Sequence, residues 1–336
     1  MDIFGLPRTG LERGSRPFQQ VTGGGDGPAR RKPGSAAGPS TGARVIFLAV
    51  DPIVFSERPE VERPVLVTAF RGWNDAGEAA STAASYLKEA WEATTFARID
   101  PEEFFDFQVS RPTVRLMDGV TRVIEWPACE FHHARVEGRD VVLFTGTEPN
   151  VRWRTFGTAI VDLGRSLQAE RLVTLGAFLA DVPHTRPVPV VGSAANAEEA
   201  ERLGLSMSRY EGPTGIVGVL HDLSNRAGLP SVSFWAAVPH YVQAGVNPRA
   251  TLSLVERVAS FLRVDVDTSD LEPAIDTWEQ RINEIVEDNE SLTEYVRRLE
   301  EAAGEEPPLP NIPSGESLAA EVEEFLRDHG GGQEAP

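Results

Sequence analysis

Strand-length apolar runs that end in polar turns, each followed by a helix-length amphipathic stretch, recur from residue 44 to residue 265 and leave little choice of architecture. Runs of β-branched and aromatic residues alternating with helical periods specify βαβ units, which build a sheet covered by helices on both faces. The first unit sets the pattern: strand 64–69 enters the turn Phe70-Arg71-Gly72-Trp73-Asn74-Asp75-Ala76-Gly77-Glu78, and the small-residue helix 75–90 follows. Strand 140–145 leads to helix 153–169, strand 171–178 to strand 188–192, helix 215–226 to strand 231–237, and helix 248–262 closes the series on Pro248. Between the first two units lie a short strand at 94–99 and a hairpin, 114–117 with 120–126, turning at Asp118-Gly119. The expected fold is a three-layer α/β/α domain with a mixed sheet over residues 44–265.

Outside this block the chain changes character. Residues 1–43 are rich in Gly, Pro, Ser and Arg and carry no apolar period, so they bury too little to offset ordering entropy and are expected to form a disordered tail. After Leu271, the residues Ile275, Trp278, Ile282, Ile285, Asn289, Leu292, Val296 and Leu299 recur at spacings of three and four, the seam of a coiled-coil helix of roughly thirty residues. Asn289 on that seam would set its register. Residues 304–313 break the helix, and Ser314 can cap a second one carrying Leu318, Val322, Phe325 and Leu326. Folding back, the two give an acidic helical hairpin over 270–329; exchange onto another subunit is the alternative.

The formal net charge of −19 argues against a nucleic-acid partner, because the phosphate backbone repels such a surface. From Asp265 onward 21 acidic residues stand against four arginines, a solvated helix surface or a face for a basic partner. No run reaches the ~18 apolar residues of a membrane span and no apolar stretch opens the chain, so a cytoplasmic location without membrane contact is expected. The single cysteine, Cys129, excludes an internal disulfide and reads as a core filler.

If the main strands are parallel, their carboxyl ends gather polar residues at one edge, where open α/β folds place their sites. The candidate pocket comprises Asn74, Asp75, Glu148, Arg152, His184, Arg186, His240 and Tyr241. Val182-Pro183-His184 and Val238-Pro239-His240 repeat one phrase, so the two histidines either act as acid and base, or bind an anion beside Arg186, or bond backbone in rigid turns. Asn74-Asp75 either caps a helix or borders an anion site at its N-terminus. Glu148 with Arg152 and Arg154 suits a carboxylate pocket or an intersubunit ion pair. No phosphate loop, G-x-S-x-G elbow or H-E-x-x-H helix occurs, and no cofactor or metal is called for. His132-His133 are adjacent on a strand, point to opposite sides and do not chelate together.

These phrases, in order, resemble the proteasome assembly chaperone 2 (PAC2) family in its longer actinobacterial form, over residues 61–262 and with the C-terminal helical extension. The marks are Phe70-Arg71-Gly72-Trp73-Asn74-Asp75-Ala76-Gly77, Thr147-Glu148-Pro149 with Arg152-Trp153, Pro183-His184-Thr185-Arg186-Pro187, Tyr210-Glu211-Gly212-Pro213-Thr214-Gly215, and Trp235 with Val238-Pro239-His240-Tyr241. The resemblance implies a purine nucleoside phosphorylase-like fold without established catalysis, and a non-enzymatic assembly or interaction role, with proteasome subunits and further copies of the chain as partners. Archaeal relatives engage the proteasome through a hydrophobic-Tyr-any tail; Gly332-Gln333-Glu334-Ala335-Pro336 lacks it, so that route is not expected here. The alternative is a small-molecule binder or enzyme of phosphorylase, hydrolase or ATP-dependent carboxylate-amine ligase type. Lys88 is the one lysine of the expected folded region, which makes lysine clamping of a nucleotide hard to build.

Overall fold

The computed structural model describes residues 52–303 apart from 195, 209 and 243–244. In chain order the strands are β1 (Ile53–Phe55), β2 (Val65–Arg71), β3 (Thr94–Ile99), β4 (Thr113–Met117), β5 (Thr121–Glu125), β6 (Cys129–Val136), β7 (Arg139–Thr147), β8 (Arg171–Ala180), β9 (Val190–Ala194), β10 (Ser206–Met207) and β11 (Ser231–Pro239). The helices are α1 (Ala79–Ala90), α2 (Trp153–Ser166), α3 (Ala197–Leu203), α4 (Ile216–Arg226), α5 (Pro248–Leu262), α6 (Glu272–Glu287) and α7 (Glu290–Ala303). Nine strands form one sheet in the order β1-β3-β6-β7-β2-β8-β11-β9-β10, and β4 with β5 makes a separate ribbon.

The centre of the sheet, β7-β2-β8-β11, is parallel throughout. Beyond it β6, β3 and β1 continue antiparallel on one side and β9 turns antiparallel on the other, which makes the sheet mixed. Parallel strands need crossover helices, and the helices cover both faces. Val65, Val67 and Ala69 of β2 join one core with α1 and α5, while Leu66 and Phe70 of the same strand join a second core with α2 and α4. The α1 face is lined by Ala79, Ala80, Ala83, Ala84 and Leu87, so this helix lies close to the sheet. The opposite core is aromatic, with Phe144 centred 4.7 Å from Phe131, 5.2 Å from Phe70 and 6.2 Å from Phe156. Each such ring contributes about 1.5–3 kcal/mol through burial.

Two elements differ from expectation at their ends. A short 3₁₀ turn, Ala76–Glu78, precedes α1, which therefore starts four residues later than its apolar period implies. The long C-terminal helix is two helices: α6 stops at Glu287, and Asn289 accepts from the Leu292 N–H at 3.1 Å and so caps α7. An exposed cap explains this asparagine better than a buried register-setting position, and Ile285, placed on the seam by spacing, is 45% exposed. The helical hairpin is made by α6 and α7. The expected helix after Ser314 and the expected N-terminal tail lie outside the described residues.

Two histidines bond the sheet's strands, His132 from β6 and His221 from α4. His132 sits between Thr95 Oγ1 at 2.8 Å and Thr145 Oγ1 at 3.0 Å, and His221 between Thr174 Oγ1 and Ser231 Oγ, both at 2.9 Å. Burial pushes each down to about 4. Their folded pKa lies below the unfolded one near 6.5, so the stability they carry is present above that value and is lost as pH falls toward 4. Urea unfolding at pH 7 and pH 4.5 is expected to show a fall in stability of which His221 supplies on the order of 2 kcal/mol. His221→Gln should lose correspondingly less, and an identical pH response in the variant would refute the assignment.

Candidate functional site

Because β2, β7, β8 and β11 run parallel, the turns that follow them share one edge of the sheet. These turns carry all eight candidate residues. The structure divides six of them, buried or half-buried, into two groups and leaves two exposed arginines outside both.

The first group centres on the Glu148 carboxylate. Its Oε1 accepts from Asn74 Nδ2 at 3.1 Å and from the Ile216 N–H at 2.8 Å, so it stands at the N-terminus of α4. The main chain holds both partners in place: Glu148 N–H donates to Arg71 O at 2.8 Å, and Asn74 O accepts from the Ala177 N–H at 2.8 Å. Two glycines make room. Gly72 has φ +132°, where a Cβ would stand 3.1 Å from Glu148 Cβ, and a Cβ on Gly215 would stand 2.3 Å from Asn74 Nδ2.

Asp75 does for α1 what Glu148 does for α4. Its Oδ1 accepts from the N–H groups of Ala80 at 2.8 Å and Ser81 at 3.2 Å. Oδ2 is buried without a partner among the described residues, and desolvation, opposed by the bonds from Ser81 and Ala80, pushes the carboxyl above its ordinary value. Asn247 completes the set at α5, where its Oδ1 accepts from the Ala250 N–H at 3.0 Å. Helix N-termini attract anions, and here the chain's own carboxylates occupy the starts of α1 and α4. A phosphate or carboxylate ligand would have to displace them.

The second group lies beneath the C-terminal helices. His184 is buried, and its backbone N–H donates to the Tyr241 hydroxyl oxygen at 2.8 Å. The hydroxyl hydrogen is then assigned to His184 Nδ1, also 2.8 Å away, and Nε2–H to Asn283 Oδ1 of α6 at 2.9 Å. Burial pushes the Tyr241 hydroxyl up to about 12, so it stays a donor. The rings of His184, Tyr241, His240 and Tyr295 meet edge to face, with centroids 5.5–5.9 Å apart. His240 Nδ1 lies 3.1 Å from Asp181 Oδ1, within ion-pair reach but not aligned as a hydrogen bond, and Tyr295 donates to the same oxygen at 2.8 Å. Trp278, Ile282, Val286 and Val296 pack beside Tyr241 and Val242.

No hydrogen bond among the described residues joins the candidate side chains of one group to those of the other. Arg152 is exposed, pairs with Glu103 and lies over the Phe104 ring at 5.6 Å. Arg186 is exposed, and its carbonyl, with that of His184, accepts from Arg249. A cleft of about 310 Å³, lined by Glu62, Arg63, Arg139, Asp140 and Glu170 among others, opens at the opposite edge, beside the amino ends of β2, β7 and β8. No three His, Cys, Asp or Glu residues among those described are placed to hold a metal ion. Burial pushes the Cys129 thiol up to about 12, which leaves it unreactive. Asn283 and Tyr295 escaped the sequence reading because a polar residue beside an apolar seam looks like any solvated helix position.

Residues 69–286 match the model of the PAC2 family. The chain belongs to this family. A PAC2 family protein from Streptomyces avermitilis is 44% identical, with TM-score 0.65, and the match covers 69% of this chain and 99% of that one. A proteasome-assembly chaperone homologue from Mycobacterium tuberculosis is 49% identical with TM-score 0.63, at the same coverage of 69% and 99%. A proteasome activator from Pyrococcus furiosus, 18% identical over 69% of this chain and 97% of that one with TM-score 0.56, shares the fold. No curated protein matches the chain. No described helix is long and apolar enough to cross a membrane.

Glu148→Ala should leave Asn74 Nδ2 and the Ile216 N–H without their acceptor and lower stability by about 2–3 kcal/mol. Glu148→Gln keeps an acceptor oxygen and should lose less than half of that. Denaturant unfolding of both variants checks the ordering, and equal losses would show that the carboxylate's negative charge, not an acceptor oxygen of the same shape, holds the two donors.

Proposed function

We propose that this PAC2 protein is a non-enzymatic assembly or interaction factor that acts in the cytoplasm on proteasome subunits and works as a homo-oligomer. The observation that carries the reading is the 49% identity, across 99% of the relative, to a protein named for its likeness to proteasome-assembly chaperones. The state of the carboxyl edge supports it. Asp75 and Glu148 neutralise the two helix starts an anionic substrate would need, and His184 is bound between Tyr241 and Asn283. On this reading the six candidate residues other than Arg152 and Arg186 brace the turns of a docking edge instead of reacting there.

What the edge presents outward is Trp73, 60% exposed within the turn after β2, with exposed arginines at 152 and 186. Exposed tryptophan and arginine are residues that anchor protein contacts. The acidic C-terminal unit is taken as an appended module over 270–329, and its described helices α6 and α7 border this edge.

A tagged chain incubated with recombinant actinobacterial proteasome α and β subunits is expected to retain at least one of them. Trp73→Ala combined with Arg186→Glu should reduce retention severalfold with no change in the unfolding curve. If neither subunit is retained while the two subunits still capture one another, the proteasome role is rejected.

A further inference from the structure

The ribbon β4–β5 takes no part in the edge described above. All of its residues are exposed except Val123, which is half-buried. Val114 stands opposite Ile124 and Leu116 opposite Arg122, so an apolar side is shared by the two strands. Trp126 at the base stacks edge to face on Phe107 at 4.8 Å, and Val109, Met117 and Val120 extend the apolar surface to base and tip. Seven of the fifteen large apolar side chains exposed among the described residues fall within 109–126. A two-stranded ribbon is at best marginally stable in water, and a concentrated apolar patch marks a contact surface.

Charge identifies the occupant. In a chain of net charge −19, the segment 109–126 carries Arg111, Arg115 and Arg122 against Asp118 and Glu125, and only Arg115 pairs with Glu125, at 2.9 Å. The complementary surface is on the same chain: the α6–α7 junction exposes Ile285 amid Glu284, Glu287, Asp288 and Glu290. Within one molecule the other described residues leave the two surfaces uncovered. We propose that the occupant is a second copy of this chain, with the β4–β5 ribbon of one copy laid on the α6–α7 junction of the next. Opposite patches meet, so the contact is either made twice in a twofold pair or made head to tail, which closes into a ring or continues as a chain of copies. Ribbon against ribbon would instead bring arginine-rich patches together. This inference rests on the self-association reading and assigns it a surface.

Light scattering on the full chain, at low and high salt, tests it with three variants whose changed residues are exposed, so that circular dichroism should be unaltered. Leu116→Asp with Ile124→Asp, and separately Arg111→Glu with Arg122→Glu, should each weaken association by at least about tenfold. Adding Glu284→Arg and Glu287→Arg to the arginine variant should restore it. A monomeric wild type would overturn both this inference and self-association itself. Oligomers that persist in the ribbon variants would overturn the ribbon alone, leaving self-association standing. Dissociation by the aspartates without restoration by the charge exchange would overturn the α6–α7 junction as the docking surface.

Discussion

The carboxyl edge depends on a single carboxylate placed where three segments converge. Glu148 follows β7, yet it bonds the side chain of Asn74 after β2 and the first amide of α4. A helix N-terminus carries partial positive charge and unsatisfied N–H groups, and a buried acceptor there serves both. Gly72 and Gly215 have no side chain because Glu148 and Asn74 occupy the space. Removing any of these parts leaves a buried polar group unpaired, so the turn, the acid and the distant glycine behave as one unit.

The C-terminal helices exploit the other half of the same edge. His184 and Tyr241 follow different strands, and their mutual hydrogen bond leaves one imidazole nitrogen pointing outward for Asn283. Around this polar link a small apolar cluster of Trp278, Ile282, Val286 and Val296 seals α6 and α7 against the turn. The result is a histidine held by donors and acceptors on both nitrogens, which restricts it to one tautomer and one orientation. An acid–base role would require breaking that arrangement. The repeated Val-Pro-His phrase thus marks two unlike positions: His184 is buried, and His240 is partly exposed beside Asp181.

The strands and helices of the α/β block were largely legible from periodicity, because their burial follows local pattern. Helix Pro248–Leu262 coincides with its apolar repeat, and the hairpin turns at Asp118-Gly119, both with positive φ, as the turn chemistry requires. That the candidate residues share one edge was legible too, once parallel strands were inferred. Asn289 was misread because a heptad spacing cannot distinguish a polar seam residue from a cap between two helices. Which polar residues satisfy one another was also beyond reach: Glu148 and Ile216 are 68 positions apart, and His184 and Asn283 are 99 apart.

By itself the amino-acid order determined a layered α/β fold with parallel strands, an acidic helical end, and a polar edge whose phrases identify the family. Period, turn residues and charge act over a few neighbouring positions and need no knowledge of distant contacts. Tertiary structure alone decided that Asp75 and Glu148 fill the helix starts, that His184 is closed under α6, and that the other described residues leave the β4–β5 ribbon uncovered. Each of those outcomes depends on which side chains meet across the fold, and burial makes each such meeting a matter of satisfied or orphaned polar groups.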